Sequence, residues 1–152
     1  MRCTELQRAV KDVLTFCELS TDKKVIDLLV GTACVESDCG KYIKQVNGPA
    51  CGIFQMEPIT ANDIYENYIK YKKNYKTIYD ILFNKYFTIE QNLMYNLAFS
   101  IFMCRMHYMR IKEKIPETFD EQAKYWKKYY NTKLGKGTEQ DYILKGKTYG
   151  YF

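Results

Sequence analysis

The chain is poor in the residues that usually announce a chemistry. It has one histidine, His107, one tryptophan, Trp126, and three prolines in 152 residues. Its six cysteines include no Cys-x-x-Cys pair. A lone imidazole offers no second ligand, so no zinc site is expected, and nothing calls for a metal or an organic cofactor. Cys34, Cys39 and Cys51 flank one stretch of chain and are expected to lie near one another as buried, reduced thiols acting as small apolar side chains. No apolar run is long enough to span a bilayer. The greasiest later segment, Leu93 to Met109, is broken by Asn96, Ser100, Arg105 and His107 and reads as a core helix. Met1-Arg2-Cys3-Thr4-Glu5 lacks the apolar run that follows a basic start in a secretory signal. The expectation is therefore synthesis in a cytoplasm and export by outside help. No internal repeat or linker divides the chain.

What is present suits one domain over residues 1–152. Apolar residues make up 47% of the chain, and a chain of this size buries about two-thirds of its surface. The net charge is +5, from 23 Lys and Arg against 18 Asp and Glu. Lysine and tyrosine interleave at 69–76 and again at 125–130. Cations beside aromatics suit an anionic polymer, whether nucleic acid or a bacterial envelope. The same texture follows from AT-rich codons alone, so charge does not choose between them. No nucleic-acid reader motif is present, and nucleic acid is not the expected partner.

Hydrophobic spacing lays out a chain of helices. Leu6, Ala9, Val10, Val13, Leu14 and Cys17 make one stripe over 4–17. Ser20 or Thr21 is placed to cap a helix over 22–37, in which Gly31 is expected to let another backbone approach closely. Residues 38–51 hold two glycines and a proline and read as irregular chain, with room for a short β element. A helix over 58–70 has Thr60 as its expected cap and Asp63 as the acid of a capping box. Further helices are expected over 74–87, over 88–111 as one long element, and over 122–130 after a cap at Thr118 or Asp120. The last dozen residues are expected to be loosely held. The fold class is all-α, or α with a minimal β element, around a buried central helix.

That central helix organises the rest. Val25, Ile26, Leu28, Leu29, Val30, Ala33, Cys34 and Val35 cover nearly every face, so it should run through the interior. It ends in Glu36, Ser37, Asp38 and Gly40. A carboxyl group at the mouth of an apolar helix is desolvated, which raises its pKa and keeps a proton on it near neutrality, as a general acid requires. Fifteen residues later the chain returns through Gly52-Ile53-Phe54-Gln55-Met56-Glu57-Pro58.

Glu36-Ser37, then Gly-Pro-Ala-Cys-Gly-Ile-Phe-Gln over 48–55, then Pro58 and Thr60, resembles the Glu-Ser and Gly-Leu-Met-Gln motifs of lysozyme-like lytic transglycosylases, the small phage-encoded members in particular. Tyr130-Asn131 is similar to the end of that family's late Ala-Tyr-Asn motif, with Tyr129 standing where the alanine would be. The resemblance covers roughly residues 22 to 137. It implies a lysozyme-like helical domain that cuts the bond between N-acetylmuramic acid and N-acetylglucosamine in peptidoglycan glycan strands. Glu36 would first protonate the glycosidic oxygen and then take a proton from the muramoyl 6-hydroxyl. Ser37 would orient Glu36 or a sugar, while Gln55, Met56, Tyr130 and Asn131 would contact substrate. Glycoside hydrolysis proper uses two carboxyl groups, and Glu57 is the best candidate for a second, ahead of Asp38 and Asp63. The resemblance also implies action on the bacterial cell wall, as a virion component or a lysis enzyme beside other virion proteins. A non-catalytic virion protein of the same fold is the competing expectation. Trp126 reads as core or as a saccharide platform, and His107 as a satisfied histidine.

Overall fold

Eight α-helices form residues 1–150, the part of the chain that the computed structural model describes. Among these residues there is no strand, only isolated antiparallel bridges joining Cys51 to Lys44 and to Met56. Among the described residues no helix is long and apolar enough to cross a membrane. The helices are α1 (Cys3–Phe16), α2 (Lys23–Ser37), α3 (Pro58–Asn67), α4 (Lys73–Leu82), α5 (Ile89–Tyr95), α6 (Leu97–Met109), α7 (Phe119–Trp126) and α8 (Glu139–Thr148). A 3-10 turn, Ile69–Tyr71, precedes α4, and a π-helical turn, Lys127–Asn131, continues α7.

Two apolar clusters share α6 as their common wall. Its Ile101, Cys104 and Tyr108 join Leu6, Leu28, Val30, Trp126 and Tyr142 on the side of α1, α2, α7 and α8. Its Phe99, Phe102, Met103 and Met106 join Ile64, Ile69 and Leu93 on the side of α3, α4 and α5. A helix apolar on all faces must be enclosed, and both α2 and α6 are. The cleft opens where the two halves meet.

Several boundaries depart from the sequence reading, each for a local reason. The expected long helix over 88–111 is two helices. Asn96 leaves helical geometry, caps α6 by accepting the Phe99 N–H, and donates its amide to Leu82 O at 2.7 Å. Thr60 caps nothing: α3 begins at Pro58, whose fixed φ suits the first helical position, and Asp63 instead binds Asn67 and Arg110. Neither Ser20 nor Thr21 stands at the N-cap of α2; Asp22 does, without a side-chain capping bond. Ile81, an apolar residue within the helix expected over 74–87, is exposed.

The largest correction is at the C-terminal end. Residues 139–148 are the helix α8, closed at its start by a reciprocal box between Thr138 and Asp141. Tyr142 is fully buried, and its phenol occupies the space beside Gly31, where a Cβ would stand 2.1 Å from the hydroxyl. Gly31 does admit a close neighbour, a tyrosine side chain rather than a backbone. Residues 151 and 152 of the expected loose tail lie outside the described residues.

Candidate active site

α2 ends because Asp38 turns into the left-handed region at φ 52, which stops the helix one residue after Ser37. That stop fixes Glu36 on the wall of a cleft of about 980 Å³. Glu36 is half-buried, and its Oε1 accepts one hydrogen bond, from Trp126 Nε1–H at 3.0 Å. Burial pushes its carboxyl up to about 7, and the indole N–H pulls in the opposite direction without prevailing. A neutral donor stabilises the carboxylate less than an ion pair does, so desolvation decides the direction. Asp38, two residues on, turns away from this wall and pairs with Lys145 at 2.5 Å.

The returning segment is locked by backbone geometry. Cys51 and Met56 exchange two backbone hydrogen bonds of 3.0 and 3.1 Å, closing a tight loop. Gly52 sits at φ +81 with Leu93 O only 2.0 Å from where a Cβ would be, so no other residue fits without movement. Ser37 is buried, and its hydroxyl donates to Ile53 O at 2.6 Å while accepting the Gly40 N–H. It therefore braces α2 against the 51–56 loop and makes no bond to Glu36. Tyr130 does the same from the other side, donating to Phe54 O at 2.7 Å rather than to Glu36. Its ring lies against His107 and Tyr108, and burial pushes its phenol well above the usual range. Ile53 and Phe54, whose carbonyls receive these bonds, are core side chains.

Glu36, Gln55, Met56, Glu57, Tyr130 and Asn131 all line the cleft; Ser37 does not. Gln55 adopts φ 46 and donates to Gly52 O, which leaves its amide oxygen available. Met56 lines the wall although nearly all of it is buried. Glu57 stands at the head of α3. Asn131 accepts from Lys127 Nζ at 2.6 Å, and the same ammonium reaches Gly135 O at 2.9 Å, so Asn131 shapes the 132–137 loop that forms the far rim. Leu134 at the tip of that loop is 97% exposed. Tyr129, in the place of the motif's alanine, also lines the cleft, and its hydroxyl donates to Glu113.

Sequence reasoning did not name Arg110, Gln45 or Lys145 as parts of the site, and it gave Trp126 only as core or a saccharide platform. Trp126 holds Glu36 from within the core, 1% exposed, so it is a donor and not a flat saccharide platform. Its position four residues before Tyr130, about one helical turn away, is the sequence signal that could have suggested this role. Arg110 spans from α6 to Asp63 on α3 at 2.8 Å and holds that carboxyl below its ordinary range. His107 also lines the cleft, with burial and then Arg110 depressing it to about 4, so it is neutral near pH 7. Its Nδ1 is buried without a hydrogen-bond partner. Among the cysteines, Cys34 and Cys39 do meet, but their companion is Cys3; Cys51 packs in the other cluster. Comparison with protein-family models, with curated proteins and with solved structures gives no match for this chain.

Proposed function

We propose that this chain is a lysozyme-like glycosidase of peptidoglycan, cutting the β-1,4 bond between N-acetylmuramic acid and N-acetylglucosamine with Glu36 as the acid. The observation that carries this reading is a carboxyl held near pKa 7 by burial on the wall of a cleft of about 980 Å³. Such a group is protonated in a large fraction of molecules at neutral pH, and so can give a proton to a glycosidic oxygen. Once ionised it is stabilised by the Trp126 N–H, and it can then take a proton from the 6-hydroxyl of the muramoyl residue, closing a 1,6-anhydro ring. Gln45, Gln55 and Asn131 put side-chain amides on the cleft wall, a chemistry that matches N-acetyl groups. Tyr130 and Ser37 act as positioning residues through the carbonyls of Phe54 and Ile53. Glu57 is the second carboxylate if water replaces the 6-hydroxyl as acceptor.

In this reading the protein acts on the bacterial cell wall, as a virion component that opens a path for a genome or as a lysis enzyme. A binding-only member of the same fold is favoured by one feature, the commitment of Tyr129 to Glu113 where the motif has alanine. Purified insoluble peptidoglycan separates the readings. Glu36→Gln should bind it and release no soluble fragments, while the wild type clears it. Anhydromuramoyl product ends by mass spectrometry mean transglycosylase, and reducing ends mean hydrolase. Clearing by Glu36→Gln at the wild-type rate would end the assignment of the acid.

A further inference from the structure

Three cysteines distant in sequence meet at one point behind the Glu36 wall. Cys3 opens α1, Cys34 lies in the last turns of α2, and Cys39 follows α2 at φ 60. Cys3 Sγ is 3.3 Å from Cys34 Sγ and 3.1 Å from Cys39 Sγ, and all three sulfurs lie within 4.8 Å of one another. All are buried, at 6%, 0% and 0% exposure. Packing explains a buried thiol taken singly, as at Cys17, Cys51 and Cys104. It does not explain three that converge, because S–H groups are weak donors and weak acceptors and gain little from facing one another.

From this convergence we propose that Cys3, Cys34 and Cys39 hold a single soft d10 metal ion through three sulfurs, copper(I) in preference to zinc(II). Thiolates select soft ions, and copper(I) is among the softest available to a protein. Zinc completes a fourth position in its structural sites, and in catalytic sites fills it with water. Among the described residues no imidazole or carboxylate joins the three thiols, and their burial leaves little access for water. Three sulfurs at roughly 2.3 Å from one ion in a planar arrangement stand about 4 Å apart. The sulfurs therefore need to spread by less than about 1 Å, within the reach of small side-chain rotations. Each thiol that binds as thiolate releases its proton to solvent, and no oxidant or reductant is consumed. The bound ion would clip the first turn of α1 to the end of α2, with its ligands two residues before and three residues after Glu36. It is independent of any glycan chemistry.

The test uses the full chain, reduced and kept without oxygen, titrated with copper(I) against a chromophoric copper(I) chelator. The expected result is one ion retained per chain, with X-ray absorption reporting about three sulfur neighbours and no nitrogen or oxygen. Cys3→Ser, Cys34→Ser and Cys39→Ser should each lose the ion, while Cys17→Ser, Cys51→Ser and Cys104→Ser keep it. The absorption spectrum is read on the wild type, so a variant that fails to fold leaves the question answerable. Three outcomes would overturn the assignment. One is that the chelator removes all copper; another is a first shell of nitrogen or oxygen. The third is a count of four free thiols in the unreduced, denatured chain, with peptide mapping placing the disulfide between two of these three cysteines.

Discussion

The two sides of the cleft treat a carboxyl group in opposite ways. On the α2 side, Glu36 meets a neutral indole N–H and the packed edge of the larger core, and rises to about 7. On the α3 side, Asp63 stands half in water beside the Arg110 guanidinium and is held below its ordinary range. The acids differ little in intrinsic chemistry. What differs is the partner's charge and the solvent around the pair, and these alone decide which side can store a proton at neutral pH.

The widest gap between the two sides is expected in activity. Glu36→Gln should lower peptidoglycan cleavage by about 10²–10⁴-fold, the range that a positioned proton donor contributes. Asp63→Asn should lower it by less than about tenfold, because that carboxyl is already ionised and paired. Glu57→Gln sharpens the contrast. A loss as deep as that of Glu36→Gln would make the reaction a two-carboxylate hydrolysis.

Next in size is the packing that backs the Glu36 side. Gly31→Ala places a methyl group 2.1 Å from the Tyr142 hydroxyl, so α8 must shift away from α2. The expected loss is about 1–3 kcal/mol in chemical denaturation. A change near zero would mean that α8 is not held against α2 in solution.

Stability against pH separates the sides again. The folded-state pKa of Glu36 lies above its unfolded value, so the folded chain binds more protons between about 4.5 and about 7. Stability contributed by this group is therefore complete below about 4.5, falls as pH rises through that window and levels off above about 7. Glu36→Gln should remove the slope and leave the variant more stable than wild type at pH 8, by on the order of 3 kcal/mol. Equal denaturation midpoints at pH 8 would place the carboxyl in open water.

The sequence disclosed the buried α2 and its acidic end because apolar residues on every face of one helix leave few other arrangements. It disclosed which segments return to the cleft, since Gly52 and the 53–56 run punctuate the chain there. It did not disclose the roles of Ser37 and Tyr130, whose hydroxyls bond carbonyls 16 and 76 residues away in sequence. Nor did it disclose α8, whose propensity is weak and whose stability comes from burying Tyr142 against Gly31. Partners set by tertiary contact leave no periodic trace. The break at Asn96 was missed for a related reason: the apolar pattern runs on through a residue whose side chain has better partners outside the helix.

Trp126→Phe tests the α2 side with a smaller effect. It keeps most of the ring and removes the one N–H that favours ionised Glu36, so the acid should rise further. Activity that depends on protonated Glu36 should fall as pH increases through about 7 in the wild type. In the variant that fall should move to higher pH by about one unit, as expected for a hydrogen bond to a charged group. An unmoved profile with reduced activity throughout would assign Trp126 a packing role alone.

The smallest expected effect lies two residues from the acid. Asp38 ends α2 in the left-handed conformation and pairs with Lys145, whose side chain is 41% exposed. Asn tolerates that backbone as well as Asp does, so Asp38→Asn removes the ion pair without straining the turn. A pair this open to solvent stabilises by less than about 1 kcal/mol. The pH at which activity falls should stay where it is in the wild type, because burial and not the net charge of the α2 end sets the Glu36 proton. If removing one negative charge at Asp38 moves that pH as far as Trp126→Phe does, the long-range field governs Glu36. The contrast between the two sides would then rest on charge count rather than on solvent exclusion.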